Sequence, residues 1–179
     1  YKRRDRLSHD TLVVTTLTNL GLHEAMKANK IQVVTTAVGD RYVIEKMRSN
    51  GYNLGGEKSG HIIFMDHATT GDGIISALQV LKLLKETGKP LSELSACMDE
   101  YPQKMVSLNV REKRPLGEVP RLSEAADECQ AALGDQGRIL IRYSGTEKKI
   151  RLLIEAREEK QVQKWTEDLA TVIRQELGT

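Results

Sequence analysis

Short blocks of β-branched and apolar residues alternate along the first half of the chain with stretches of helical spacing. Residues 11–16 (Thr-Leu-Val-Val-Thr-Thr), bounded by polar positions, predict a buried strand. Asn19 is placed to cap a helix carrying Leu20, His23, Met26 and Lys27 and ending near Asn29. Residues 31–35 predict a second strand. A helix over 40–49 puts Val43, Ile44 and Met47 on one face, and Asn50-Gly51 stops it. The glycine-rich stretch 53–61 reads as turns, followed by a strand over 62–65. Asp72 is a cap for the clearest helix of this half. Its Ile74, Leu78, Leu81 and Lys85 share one face, widened by Ile75 and Leu84, and this stripe is expected to meet the core. Thr87-Gly88-Lys89-Pro90 ends it, and a shorter helix is predicted over 91–98.

The pattern changes around Asp99-Glu100-Tyr101-Pro102. A strand over 105–110, a loop holding Pro115 and Pro120, a helix over 123–133 and two strands around residues 142–149 follow. A long closing helix carries Val162, Trp165, Leu169, Ile173 and Leu177 as an amphipathic stripe, with Gly178 at its stop. This order predicts an α/β domain with a mixed sheet over residues 1–101, then a smaller α+β domain over 102–179. No internal repeat or low-complexity segment interrupts it.

Composition narrows the class. With one Phe and one Trp, a 39% apolar chain must build mainly aliphatic cores. Charged residues are plentiful at 29%, but the formal net charge is only +2, without the basic excess expected of a protein held to nucleic acid by bulk charge. The cationic run 2–6 reads as the solvated end of a helix. Cys97 and Cys129 form no CxxC pair, which fits a reducing compartment. No apolar run nears the roughly 20 residues of a membrane span. With no signal-peptide pattern at the start, the cytoplasm is the expected location. The opening Tyr1-Lys2-Arg3-Arg4 lacks an initiator Met and resembles the last turns of a helix, so a processed or truncated chain is expected.

The sharpest candidate chemistry is Arg142-Tyr143-Ser144-Gly145-Thr146-Glu147, set between two strands with Arg151 just beyond. Arginine offers planar paired donors, Ser144 and Thr146 offer hydroxyls, and Gly145 lets backbone N–H groups converge as an anion-binding nest. Strand alternation places Arg151 on the open face with Leu153 and Glu155. The set suits a tetrahedral phosphate. The competing reading is a tight turn in which Gly145 supplies a positive φ and the hydroxyls bond their own backbone.

A second candidate is Gly55-Gly56-Glu57-Lys58-Ser59-Gly60-His61. Here Glu57, Ser59 and His61 suit hydrogen bonding to vicinal sugar hydroxyls, and a solvated glycine loop is the alternative. One His beside one Glu is a poor metal set, and Ser59 shows no acid–base triad. Asp40 and Arg41, in Val38-Gly39-Asp40-Arg41-Tyr42-Val43, are weaker substrate-positioning candidates, Asp40 being more simply a helix cap. No nucleophile or metal-ligand set is found, and the other histidines and both cysteines are assigned no chemistry. A rival class is a non-catalytic module that binds phosphate or nucleic acid through Arg142, Arg151 and the basic start.

Taken in order, the stretches 38–43, 55–61, 70–74 (Thr-Gly-Asp-Gly-Ile) and 142–147 resemble the C-terminal half of the α-D-phosphohexomutase family, most closely its bacterial phosphoglucosamine mutase branch. The resemblance covers essentially the whole chain and implies the third and fourth of four domains. It implies that Glu57, Ser59 and His61 read sugar hydroxyls. It likewise implies that Arg142, Ser144, Gly145 and Thr146, helped by Arg151, hold the non-reacting phosphate. The reaction so implied interconverts glucosamine 6-phosphate and glucosamine 1-phosphate on the way to UDP-N-acetylglucosamine and the cell wall, with glucose or mannose phosphate as the alternative substrates. The family's phosphoserine loop and its Mg²⁺ loop are absent from this sequence, so the resemblance implies that this chain alone is inactive and binds no cofactor. The partners implied are a sugar phosphate and the preceding domains, with neither nucleic acid nor membrane. A full-length homodimer is among the assemblies it allows. Tyr143 and Lys148 stand where the family often has proline, and Lys58 where it often has glutamine.

Overall fold

A computed structural model describes residues 1–178 and divides into two compact units, residues 1–100 and the chain from Tyr101 onward. In the first, strands β1 (Thr11–Thr15), β2 (Gln32–Thr36), β3 (Leu54–Gly56) and β4 (Ile62–Phe64) form one sheet in the order β2-β1-β3-β4. β1 runs parallel to β2 and β3, and β4 is antiparallel to β3, so the sheet is mixed. Helices α1 (Leu20–Ala28) and α2 (Asp40–Asn50) are the crossovers, and α3 (Gly73–Thr87) and α4 (Leu91–Ser95) close the unit. α4 stops three residues short of the predicted end.

One face of this sheet carries a small core of Val13, Val43, Met47 and Ile63. Sequence reading placed residues 54–56 in a turn, yet they form β3. The reason is packing. A Cβ at Gly55 would lie 2.6 Å from the Met47 sulfur and 2.9 Å from both the Val13 carbonyl and Val43 Cγ1. Glycine is there because α2 lies directly on the strand, which erases the apolar alternation that marks a strand. On the other face Leu12, Val14, Leu54, Ile62 and Phe64 line a hollow of about 500 Å³ that Leu83 of α3 also reaches.

Helix α3 overturns one expectation. The centre of its predicted stripe is turned outward, with Ile74, Leu78 and Leu81 exposed at 75%, 56% and 58%, while Ile75 and Leu84 at its margins are half-buried together with Gln79 and Val80. Apolar residues spread over more than half of the helix circumference, so spacing alone does not select which part of that arc is covered. Its ends are as read: the Asp72 carboxylate accepts from the Ile74 and Ile75 N–H groups, and Gly88 closes the helix in the left-handed region.

The second unit is an antiparallel sheet in the order β5-β7-β6, from β5 (Gln103–Asn109), β6 (Gly137–Tyr143) and β7 (Lys149–Ala156). Helices α5 (Pro120–Leu133) and α6 (Glu159–Leu177) contribute to its core. Leu122, Cys129, Leu133, Val162, Leu169, Ile173 and Leu177 form one cluster with Ile150, Leu152 and Ile154. α5 starts three residues earlier than predicted, at Pro120, because proline suits a first helical position whose N–H needs no partner. On the opposite sheet face Leu153 and Glu155 were expected in the open, but both are buried, at 3% and 0% exposure. Glu155 tolerates this because Arg138, its cross-strand partner, donates Nε–H to its carboxylate at 2.6 Å.

Candidate functional sites

The connection of β1 through α1 to β2 moves one way along the sheet, and α2 carries the chain back past β1 to β3. The carboxyl ends of β1 and β3 therefore flank a topological switch point, where open α/β sheets place ligands. β3 delivers residues 57–61 at this end, and β2 delivers Gly39-Asp40. The loop is a tight turn. Gly60 N–H donates to the Glu57 carbonyl, Glu57 N–H to the His61 carbonyl, each at 3.0 Å, and Gly60 sits at φ 94°.

This turn gathers the three predicted side chains. His61 Nδ1 lies 2.9 Å from Glu57 Oε1 and 3.2 Å from Ser59 Oγ. A carboxylate can only accept, so Nδ1 carries the proton, and Nε2 has no hydrogen-bond partner among the described residues. The Glu57 side chain is 10% exposed and that of His61 55%. The hydrogen bond from His61, with further ones from Ser59 and the Gly39 N–H, holds the Glu57 carboxyl below its usual range against the opposing effect of burial. The hydrogen bond to Glu57 raises His61 above 6.5, and the charges of Glu57 and Asp40 add to it. Serine and carboxylate meet the same ring nitrogen, so no relay from carboxylate through imidazole to hydroxyl exists. The trio is a hydrogen-bonding surface.

Asp40 is not the helix cap. Gly39 occupies that position, and Asp40 is the first helical residue, its Oδ1 accepting from the Arg41 N–H at 2.7 Å. Arg41 turns its guanidinium onto its neighbour, donating to the Tyr42 hydroxyl at 2.8 Å. The structure thus brings Asp40 within electrostatic reach of His61 and gives Arg41 a local partner.

The second candidate lies in the β6–β7 connection. Register sets Arg142 directly opposite Arg151, with Ser107 of β5 opposite Arg151 on its other side. Like charges in cross-strand positions repel. Among the described residues no carboxylate pairs with Arg142, and the nearest one to Arg151, on Glu147, is 3.9 Å away and is itself ion-paired with Lys149. That ion pair, with Arg151 adding the smallest part, holds the Glu147 carboxyl low. Two adjacent guanidiniums with so little countercharge leave a locally positive surface here.

The loop between them departs from both sequence readings. Gly145 does not adopt a positive φ, and no residue from 144 to 148 does. It is therefore not the nest expected, and of the tight-turn reading only the bond of the Ser144 hydroxyl to its own backbone is present. Ser144 is buried; its N–H donates to the Lys149 carbonyl at 2.8 Å and its Oγ accepts from the Glu147 N–H at 3.4 Å. A Cβ on Gly145 would meet nothing within 4 Å. Thr146 is exposed. Lys113, on the loop after β5, donates to the Ser144 and Gly145 carbonyls at 2.6 and 3.3 Å. Nothing in the sequence marks Lys113, which precedes the loop by 31 residues and meets it only through sheet pairing.

The chain is thus an α/β unit with a Glu57–Ser59–His61 cluster at its switch point, followed by an α+β unit with an arginine-flanked loop. The family model for the phosphoglucomutase/phosphomannomutase alpha/beta/alpha domain III matches residues 1–101, and that for the C-terminal domain matches residues 105–172. The chain belongs to the phosphoglucomutase/phosphomannomutase family. It is 48% identical over 176 residues to a phosphoglucosamine mutase of Pelobacter propionicus and 46% identical over 176 residues to one of Anaeromyxobacter sp.. Each alignment takes in 98% of this chain but 39% and 38% of the relative, so the chain spans about two fifths of their length. A solved structure of Aspergillus fumigatus N-acetylphosphoglucosamine mutase, in complex with GlcNAc-6P and magnesium, shares the fold. It has a TM-score of 0.77 at 23% identity, covering 98% of this chain and 40% of that one.

Proposed function

We propose that this chain is the sugar- and phosphate-binding part of a phosphoglucosamine mutase that interconverts glucosamine 6-phosphate and glucosamine 1-phosphate. The observation that carries the reading is the cross-strand pair Arg142 and Arg151, left with little countercharge beside a loop whose Gly145 and Thr146 are exposed. Arg142, Ser144, Gly145 and Thr146, with Arg151, hold the phosphate that does not react. Glu57, Ser59 and His61 read hydroxyls of the sugar, Glu57 accepting and Nε2 of His61 free to donate or accept. Asp40 and Arg41 are the weaker candidates for positioning the substrate, Asp40 adding the smallest of the effects that raise His61. Names of relatives at 46–48% identity favour glucosamine over glucose or mannose phosphate.

Such binding supplies orientation, converting interactions remote from the reacting bond into positioning for transfer. Among the described residues no three His, Cys, Asp or Glu side chains gather into a metal site. The Mg²⁺ ligands and the phosphate-carrying serine are assigned to the part of the enzyme that the relatives have beyond this chain's span. Among the described residues no helix is long and apolar enough to cross a membrane. Two free cysteines fit the cytoplasm. Side-by-side turnover of glucosamine, glucose and mannose phosphates by the full-length enzyme tests the assignment. A kcat/KM highest for glucosamine phosphate is expected, and preference for either other sugar overturns it.

A further inference from the structure

The loop has no nest, yet its amides are organised. The Ser144 and Gly145 carbonyls both point to the Lys113 ammonium, at 2.6 and 3.3 Å. Every peptide bond here is trans, so in each planar unit the N–H points opposite to the C=O. The partners of those two carbonyls are the N–H groups of Gly145 and Thr146, which are therefore turned away from Lys113, to one side of the loop. Neither has a hydrogen-bond partner among the described residues. One ammonium thus aligns two adjacent donors that the fold does not otherwise use, and it does so without the left-handed residue a nest requires. Its charge also polarises both peptide units, which strengthens the donors at their far ends.

We infer that Lys113 is a positioning residue for the phosphate site: it holds the Gly145 and Thr146 amides as a preformed pair of anion donors without touching the anion. The inference rests on the phosphate reading of this loop and adds to it a residue from a different element. It also gives Gly145 a reason. With no strain and no packing to satisfy, glycine there leaves the amide pair unobstructed for a close-approaching oxyanion. Preformed donors of this kind cost no reorganisation when the charge arrives.

The test is titration of the ¹⁵N-labelled protein with inorganic phosphate, followed through backbone amide shifts, for wild type, Lys113→Met, Lys113→Arg and Arg142→Ala. Wild type is expected to show saturating shifts at Gly145 and Thr146. Lys113→Met keeps a dispersed spectrum, weakens phosphate binding by about tenfold and loses the two amide responses. Lys113→Arg recovers both, since a guanidinium can donate to the same carbonyls. If Lys113→Met binds like wild type while Arg142→Ala does not, the role of Lys113 is overturned and the phosphate site stands. If wild type shows no response at the loop, the phosphate reading falls, and this inference with it.

Discussion

Two glycines in this chain are there for opposite reasons, and alanine separates them. At Gly55 the added Cβ would meet the Met47 sulfur at 2.6 Å and the Val13 carbonyl oxygen at 2.9 Å. The sulfur can swing aside, but the carbonyl belongs to the neighbouring strand and cannot. Overpacking of this kind costs about 1–3 kcal/mol, or about 4–8 °C of melting temperature per kcal/mol in a unit near 100 residues. At Gly145 the Cβ meets nothing within 4 Å and φ lies outside the left-handed region. The same change there restricts only the unfolded chain and stabilises by about 0.4–1 kcal/mol. It also places a methyl between the two loop amides, so binding suffers. The assay pairs thermal unfolding with a phosphate or sugar-phosphate titration for both variants. Gly55→Ala is expected to melt lower. Gly145→Ala is expected to melt at or slightly above wild type and to bind several-fold more weakly. Unchanged binding by Gly145→Ala would refute the ligand role of that glycine, and a lowered melting temperature would assign it to the fold.

Three further outcomes follow. Arg151→Ala removes a cross-strand repulsion and is expected to leave stability unchanged or raise it by a few tenths of a kcal/mol in denaturant melts, while weakening phosphate binding; clear destabilisation would make Arg151 structural. Arg138→Ala takes the guanidinium from a fully buried carboxylate and is expected to destabilise the second unit by about 3–5 kcal/mol; a neutral urea midpoint would contradict the pairing. His61, raised by Glu57, contributes stability present below pH 6.5 and lost as pH rises through its folded pKa. Glu57, held low, contributes stability present above 4.5 and lost as pH falls through its folded value. The pair is therefore fully formed between about pH 4.5 and 6.5, and an NMR titration of the His61 ring should give a midpoint above 6.5 that returns toward 6.5 in Glu57→Gln.

The two-unit organisation and most strands and helices could be read from local pattern, because β-branched runs and amphipathic helices report their own burial. What could not be read depended on neighbours distant in sequence. Gly55 of β3 is glycine because α2 presses on it, so the cause of its strand position resides in Val13, Val43 and Met47. The outward turn of Ile74, Leu78 and Leu81 was unreadable because the apolar arc of α3 is wider than the face that packs. Glu155 looked like a solvated strand position until its register partner Arg138 was known. Arg142 and Arg151 drew notice as separate arginines, but only the β6–β7 register makes them opposite one another. Lys113 lies outside any motif.

The central claim is that Arg142 and its loop hold the phosphate of a sugar-phosphate substrate. The most direct measurement is steady-state kinetics of Arg142→Ala in the full-length enzyme with glucosamine 6-phosphate. Loss of a paired-donor contact to phosphate, at about 1.5–3 kcal/mol, predicts a raised KM and a kcat/KM lower by roughly one to two orders of magnitude. Wild-type kinetics from that variant would contradict the account.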